Sequence, residues 1–376
     1  MKRLHSFPWA EFTILAIGSL LALALRLSLL SFESGDYHYF FNNWYQAIRE
    51  QGFLAIVSLK YDYTPSYLYL LYWMSVLFPK ISSIAAIKLP SIAFDFLSAY
   101  LIFQIVRLKY PQGPAPIFAY FVVLFAPTIV LNSAVWGQTD SIYTAFLLLC
   151  AYFLLTDSGS YAGLAFGVAL AIKLQAIFLA PLLLALALKK RLAWKYLLWI
   201  PLVYLVSIIP AWVAGRPLAD LLRIYLDQTQ SYPALTLNAP TLYTWLPETQ
   251  FSILYPAGVI WGASMVFLYL VIVYKGRANL SQGLILNIAM LALLCVPFLL
   301  PKMHERYFYP ADLFAIAYGF FFPEHFFIPI AMGMISLFAY QPFLFGRQMI
   351  PGEILAIGVL VMLVLVARKA ISALYP

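Results

Sequence analysis

The sequence is short of charge. Asp, Glu, Lys and Arg make up 10% of its 376 residues, against roughly 25% in an ordinary soluble domain. A chain with so few charges cannot cover its outside in water. Cysteine is scarcer still: Cys150 and Cys295 each fall inside an apolar run, which speaks against both a disulfide framework and a thiolate metal site. No polar stretch between apolar runs has room for a soluble domain, and no fixed repeat of roughly 20–50 residues is visible. Inverted repeats of the transporter kind are not visible either.

What the chain has instead is hydrophobic residues, 64% of the total, with a mean hydropathy of +0.87. A helix needs about 20 apolar residues to cross the hydrocarbon core, and such runs recur along the whole length. The pattern predicts an all-α, polytopic membrane protein that forms one domain over 1–376. About twelve transmembrane helices are expected, at 11–31, 84–106, 115–131, 140–155, 160–173, 174–188, 195–213, 253–274, 281–300, 307–322, 326–343 and 352–367. The first run is long and lacks a small-residue cleavage site, so it reads as a retained span rather than a signal peptide. The formal charge of +8 does not point to nucleic acid, because the Lys and Arg residues sit in short loops and form no basic stripe; they are topology signals.

Those signals decide how 64–79 is read. If this short, aromatic segment crossed the bilayer, the loop at 189–195 would face away from the basic start Lys2-Arg3. If it lies in the interface, then Lys2, Arg3, Arg107, Lys109, Lys189, Lys190, Arg191, Lys195, Lys275, Arg277, Arg368 and Lys369 share one face, as the positive-inside rule asks of the cytoplasm. The second option places both termini in the cytoplasm. A prokaryotic plasma membrane is the expected location. The first external loop, 32–83, then carries interfacial helices, beginning with an amphipathic segment from Tyr37 to Gln51 that has Phe40, Phe41, Trp44 and Ile48 at helical spacing. The second external loop is 214–252. The polar segments 32–63, 132–140, 214–252 and 301–306 all fall on this external face, joined by the 173–174 break between two spans.

Each polar cluster there has a chemical and a structural reading. Asp36 is placed to be a base near a lipid head group, or it caps the helix that follows. Asp62, before Thr64-Pro65, lines a site or opens a turn. Trp136, Gln138 and Asp140 around Gly137 make a sugar-binding set, an aromatic face with amide and carboxylate partners for hydroxyls, or a capped turn. Lys173, with Gln175 beside it, binds an anion or anchors a helix end. Lys302, His304, Glu305 and Arg306 suit phosphate oxygens, or form a basic membrane edge with Tyr307 and Tyr309 as an aromatic belt. The run His304-Glu305-Arg306 is not a metal signature, since no second His lies at i+4. Asp95 lies inside a span, with Arg26 as a candidate ion-pair partner.

In order along the chain, these clusters resemble the GT-C superfamily of membrane glycosyltransferases, and within it the polyprenyl- and dolichyl-phosphate-sugar-dependent glucosyl- and mannosyltransferases. GDYHYFFNNW is similar to the first-loop Gly-Asp motif and DYTPSYLY to an Asp-Tyr-Pro-Pro motif. WGQTDSIY stands at a Gly-His-Phe-Gln position, IKLQAIFLAP resembles a Lys-Gln segment, and MHERYF a His-Glu-Lys motif. The resemblance implies that Asp36 is the catalytic base and that Asp62 and the Asp140 region line the site. It further implies that Lys173, His304 and Arg306 hold the phosphate of a polyprenyl-phosphate sugar donor. A glycan or lipid would accept the sugar at the external face. No cofactor is implied, and with cations in place no divalent metal is expected. The family fold also has an interfacial helix where 64–79 lies. Thr64 stands in place of a Pro, and no second acid follows Asp36 directly, so the sugar stays open. The alternative is a transporter or lipid-linked-sugar flippase, which would spread its polar residues through the membrane depth. A lipid-diphosphate-dependent ligase or polymerase would want a longer external loop.

Overall fold

The structure is a computed structural model that describes residues 9–376; the basic start at Lys2-Arg3 lies outside the described residues. The fold is all-α and polytopic, with a single two-stranded sheet of two residues per strand among the described residues. Seven helices are long and apolar enough to cross a membrane, and the pair Ala115–Phe125 and Pro127–Trp136, bent by 49°, makes an eighth. The other four expected spans are shorter helices: Asp140–Leu155, Gly159–Ile172, Leu174–Leu188 and Tyr309–Phe321. These short passes are largely enclosed by the rest of the bundle, so protein rather than lipid satisfies their ends.

Basic loops gather at one end of the bundle. Lys109 donates to the Phe321 carbonyl at 2.6 Å, Lys369 pairs with Glu324 at 2.8 Å, and Arg191 pairs with Asp157 at 2.6 Å. Lys189 donates to the Gly276 carbonyl, and the Arg277 amide bonds the Leu374 carbonyl at 2.8 Å. The polar loops meet at the opposite end.

The first of these loops holds a π-helical turn, Tyr37–Phe41, that runs into the helix Asn42–Gln51. Phe41, Trp44, Tyr45 and Ile48 are buried along one side, as the helical spacing requires. The next helix, Pro65–Leu77, has 13 residues. It packs against Asn42–Gln51, an earlier helix of the same loop.

The second loop holds more structure than its polarity indicates. It contains an amphipathic helix, Leu218–Gln230, and the strand Thr236–Leu237, which pairs in parallel with Met303–His304. Glu248 holds the strand from below, accepting from the Leu235 amide at 2.9 Å. The Lys302 amide donates to the Leu235 carbonyl at 2.7 Å. Arg216 fastens this loop to the first one, donating to the carbonyls of Ile56 and Leu59 at 3.0 and 2.9 Å and stacking on Tyr61 at 4.0 Å.

Deep in the bundle, Arg26 and Asp95 pair at 2.8 Å with both side chains fully buried. The Arg26 guanidinium also donates to the Leu124 carbonyl at 2.9 Å, and Ser133 donates to Asp95 at 2.5 Å. This network ties the Trp9–Ser28 helix to the Ser83–Lys109 helix and to the bent pair, and it accounts for the intramembrane carboxylate.

Candidate active site

Three chain interruptions build the site. The first comes before the Tyr37–Phe41 turn, where Ser34, not Asp36, serves as the helix cap by accepting from the Tyr37 amide at 3.2 Å. Asp36 makes no capping bond. Its carboxylate points away from the helix and receives the indole N–H of Trp136 at 2.8 Å and the amide of Gln138. Both donors go to Oδ2. Among the described residues Oδ1 takes no hydrogen bond, and Asp36 lines the cavity described below.

The second interruption is the π-helical turn Leu131–Trp136, which ends in Gly137 at a φ of +78°. A side chain here would be strained in the left-handed region, and its Cβ would come within 3.2 Å of Lys88. The reversal turns Trp136 and Gln138 toward Asp36 and starts the next helix at Asp140. Tyr63 donates to the side-chain Oε1 of Gln138 at 3.3 Å. Trp136 is clamped by Phe343, stacked at 4.9 Å, and by the edge of Tyr340 at 5.3 Å.

The third interruption is Lys173. The Gly159–Ile172 helix stops, Lys173 is extended, and a 3₁₀ turn follows. Thr64 bonds the freed Ala171 carbonyl and Tyr225 the Leu170 carbonyl. The Lys173 side chain is 1% exposed, so it is not a snorkelling anchor. Its ammonium pairs with Asp140 at 2.5 Å, and the Tyr63 ring lies 5.2 Å from it. Asn132 donates to the other Asp140 oxygen at 3.0 Å.

Opposite stands the 301–306 segment. The Arg306 guanidinium donates to Glu305 at 2.9 Å, reaches within 3.9 Å of Asp140 and lies 5.2 Å from the Trp136 ring. Burial works against its charge, but Asp36, Glu305 and Asp140 outweigh that and raise its pKa well above the usual range. Burial pushes the Glu305 carboxyl up to about 7, against the pull of Arg306. Burial, with Arg306 and Lys173 adding to it, lowers His304 well below the usual range and keeps its ring neutral. Lys302 is turned elsewhere, donating to the Thr229 carbonyl at 2.9 Å with its ammonium 4.6 Å from the Tyr255 ring.

These pieces enclose a cavity of about 850 Å³. Asp36, Asp62, Lys173, Gln175, His304, Glu305 and Arg306 all line it. Trp136, Gln138 and Asp140 are fully buried behind the wall, where they hold the lining groups. Asp62 sits at the rim, its carboxyl raised by partial burial. Among the described residues the Oε1 of Gln175 has no partner. The cavity continues onto apolar wall at Ile177, Phe178, Val259, Leu300 and Met303. Tyr63 and Phe343 were not singled out in the sequence, although Tyr63 lies inside the DYTPSY stretch; Phe343 carries no local signal. Among the described residues no cluster of His, Cys, Asp and Glu has the geometry of a metal site.

A polytopic bundle with a charged cavity opening beside apolar helices at one end defines a class of membrane protein by its architecture. The match is found among solved structures. The chain is similar to the crystal structure of ArnT from Cupriavidus metallidurans bound to undecaprenyl phosphate, at 12% identity and a TM-score of 0.59, over 95% of this chain and 77% of that one. At this identity the likeness is one of fold: a polytopic all-α architecture shared over nearly the whole of this chain. No protein-family model matches the sequence, and no curated protein does.

Proposed function

We propose that this protein is an inverting glycosyltransferase that moves a hexose, mannose or glucose, from a polyprenyl-phosphate-linked donor to a glycan or lipid acceptor at the external face of the membrane. One observation carries the reading: Asp36, Lys173 and Arg306, far apart in the chain, line a single cavity that runs from buried charges to apolar wall. The lipid would lie along that wall, and the phosphate would meet Lys173 and Arg306. The undecaprenyl phosphate in the ArnT structure supports a ligand of this kind.

In this reaction Oδ1 of Asp36 takes the proton of the acceptor hydroxyl as its oxygen bonds the anomeric carbon. The bond from that carbon to the phosphate oxygen breaks on the opposite side, inverting the centre without a covalent enzyme intermediate. Negative charge grows on the departing phosphate, and fixed cations favour that state. Trp136 and Gln138 hold Oδ2 and aim Oδ1. Gln175 and Asp62 are placed to receive sugar hydroxyls. We assign no metal to the reaction, because the two buried cations supply the charge. In this orientation the basic end and both termini face the cytoplasm of a prokaryotic cell.

A transporter or flippase would need polar groups reaching both ends of the bundle, whereas these gather at one. The test is turnover by purified protein in detergent, given a panel of radiolabelled polyprenyl-phosphate sugars with membrane glycans and glycolipids as acceptors. Release of polyprenyl phosphate with transfer of label supports the proposal. Vectorial movement of intact donor in proteoliposomes, with no bond cleaved, overturns it in favour of the transporter.

A further inference from the structure

The cations that would hold a donor phosphate are already occupied. Lys173 pairs with Asp140 at 2.5 Å, and Arg306 with Glu305 at 2.9 Å. Counting the buried ionisable groups of the site gives three acids, Asp36, Asp140 and Glu305, against two bases, Lys173 and Arg306. With these ionised and His304 neutral, the pocket carries a net charge of −1. A polyprenyl-phosphate sugar is a phosphodiester with one further negative charge. Its entry would leave two uncompensated charges among buried side chains, an arrangement that buried sites avoid by changing protonation.

Glu305 is the carboxylate best placed to change. Asp140 is held by Lys173 and Asn132, and Asp36 by Trp136 and Gln138. The only side-chain hydrogen bond of Glu305 among the described residues is the one from Arg306. The charges around it come from several elements. Arg306 lies beside it and Asp36 acts from the first external loop, while Tyr340 of the Phe327–Phe345 helix offers only an uncharged hydroxyl. Asp140 acts through Arg306, which it approaches at 3.9 Å. The Gln282–Leu299 helix adds no charged residue, and the Tyr309–Phe321 helix keeps Asp312 on Ser336 at 3.0 Å. Resting on the donor-site reading above, we propose that donor binding takes up one proton at Glu305, which frees Arg306 from this carboxylate to bond the phosphate. The proton comes from solvent and ends on a Glu305 carboxyl oxygen; the guanidinium keeps its charge and changes partner. Glu305 is thus a positioning residue, a place-holder for the phosphate. Burial already pushes its carboxyl up to about 7, so the uptake falls in the physiological range.

The test is calorimetric titration of the purified protein with undecaprenyl methyl phosphate, in two buffers of different ionisation enthalpy and from about pH 6 to about pH 8.5. This phosphodiester carries the lipid and a single charge that does not titrate there, and it commits to no sugar. Uptake should approach about one proton near pH 8 and fade below about pH 6, with Kd rising about tenfold per pH unit above about 7. In Glu305→Gln both the uptake and the slope should vanish. The wild-type measurement needs no substitution. Binding without uptake overturns this inference and leaves the donor site standing. Uptake that survives Glu305→Gln and disappears in His304→Asn overturns it by moving the proton to the imidazole. Absence of binding at every pH overturns this inference and the donor site together.

Discussion

Asp36 and Trp136, one hundred residues apart, are joined by a 2.8 Å hydrogen bond from the indole nitrogen to the carboxylate. The bond fixes one oxygen of the acid and leaves the other toward the cavity. Asp36→Asn keeps an oxygen that accepts this bond while removing the base. Turnover should fall by about 10²–10⁴, the span of a lost general base, while undecaprenyl phosphate should bind at least as tightly as to the wild type, because one negative charge has left the pocket. Parallel turnover and binding assays check this, and retained turnover rejects the assignment of Asp36.

Lys173 and Asp140 are buried together, so removing one strands the other. Lys173→Met should cost about 3–5 kcal/mol of stability, read as a lower unfolding midpoint in detergent. Adding Asp140→Asn should restore most of the midpoint and none of the activity. If the double variant is no more stable than the single one, the pair does not carry the stability ascribed to it.

Phe343 lines the cavity and stacks on Trp136 at 4.9 Å. Phe343→Ala should remove about 0.5–1.5 kcal/mol of ring contact and lower kcat about tenfold, by loosening the indole that holds Asp36. Phe343→Tyr should restore both. Unchanged kcat in the Ala variant would mean that Trp136 keeps its place without the clamp.

The lowered pKa of His304 fixes the sign of a pH effect. The unfolded chain binds a proton near pH 6.5, and the folded chain resists it. The stability from the neutral ring is therefore fully present above about 6.5 and lost as pH falls below it. Thermal midpoints measured from pH 5 to 7.5 should drop on the acid side in the wild type and flatten in His304→Gln. An equal acid drop in the variant would assign the effect to other groups.

Because Lys173 and Arg306 are built into the pocket, turnover should survive dialysis against EDTA. A loss restored by added manganese would reject the metal-free reading.

The sequence exposes the membrane class and the break at Lys173, because both rest on hydropathy or charge that a short window displays. It exposes the short passes less well. Hydropathy sets aside windows of roughly span length, yet Tyr309–Phe321 stops at 13 residues because its ends meet protein rather than lipid. Polar candidates that lie in separate loops are legible as suspects, since buried charge is costly. Their division of labour is not. Whether Asp36 caps a helix or faces a cavity depends on Gly137 turning Trp136 back over one hundred residues of chain, and no local pattern encodes that. Phe343 looks like any other aromatic on an apolar helix. The structure inside the second loop is hidden for the same reason: Thr236–Leu237 becomes a strand only because Met303–His304 offers an edge.

The carbonyls of Leu170 and Ala171, opened where the helix stops at Lys173, are closed by Tyr225 from one polar loop and Thr64 from the other. Bare carbonyls in hydrocarbon are costly, so this half-length helix has no comfortable resting place until both outer segments have arrived. Formation of the cavity floor is thereby made contingent on docking of its roof. A nascent chain inserted but not yet covered would hold neither the lysine nor its cavity in place.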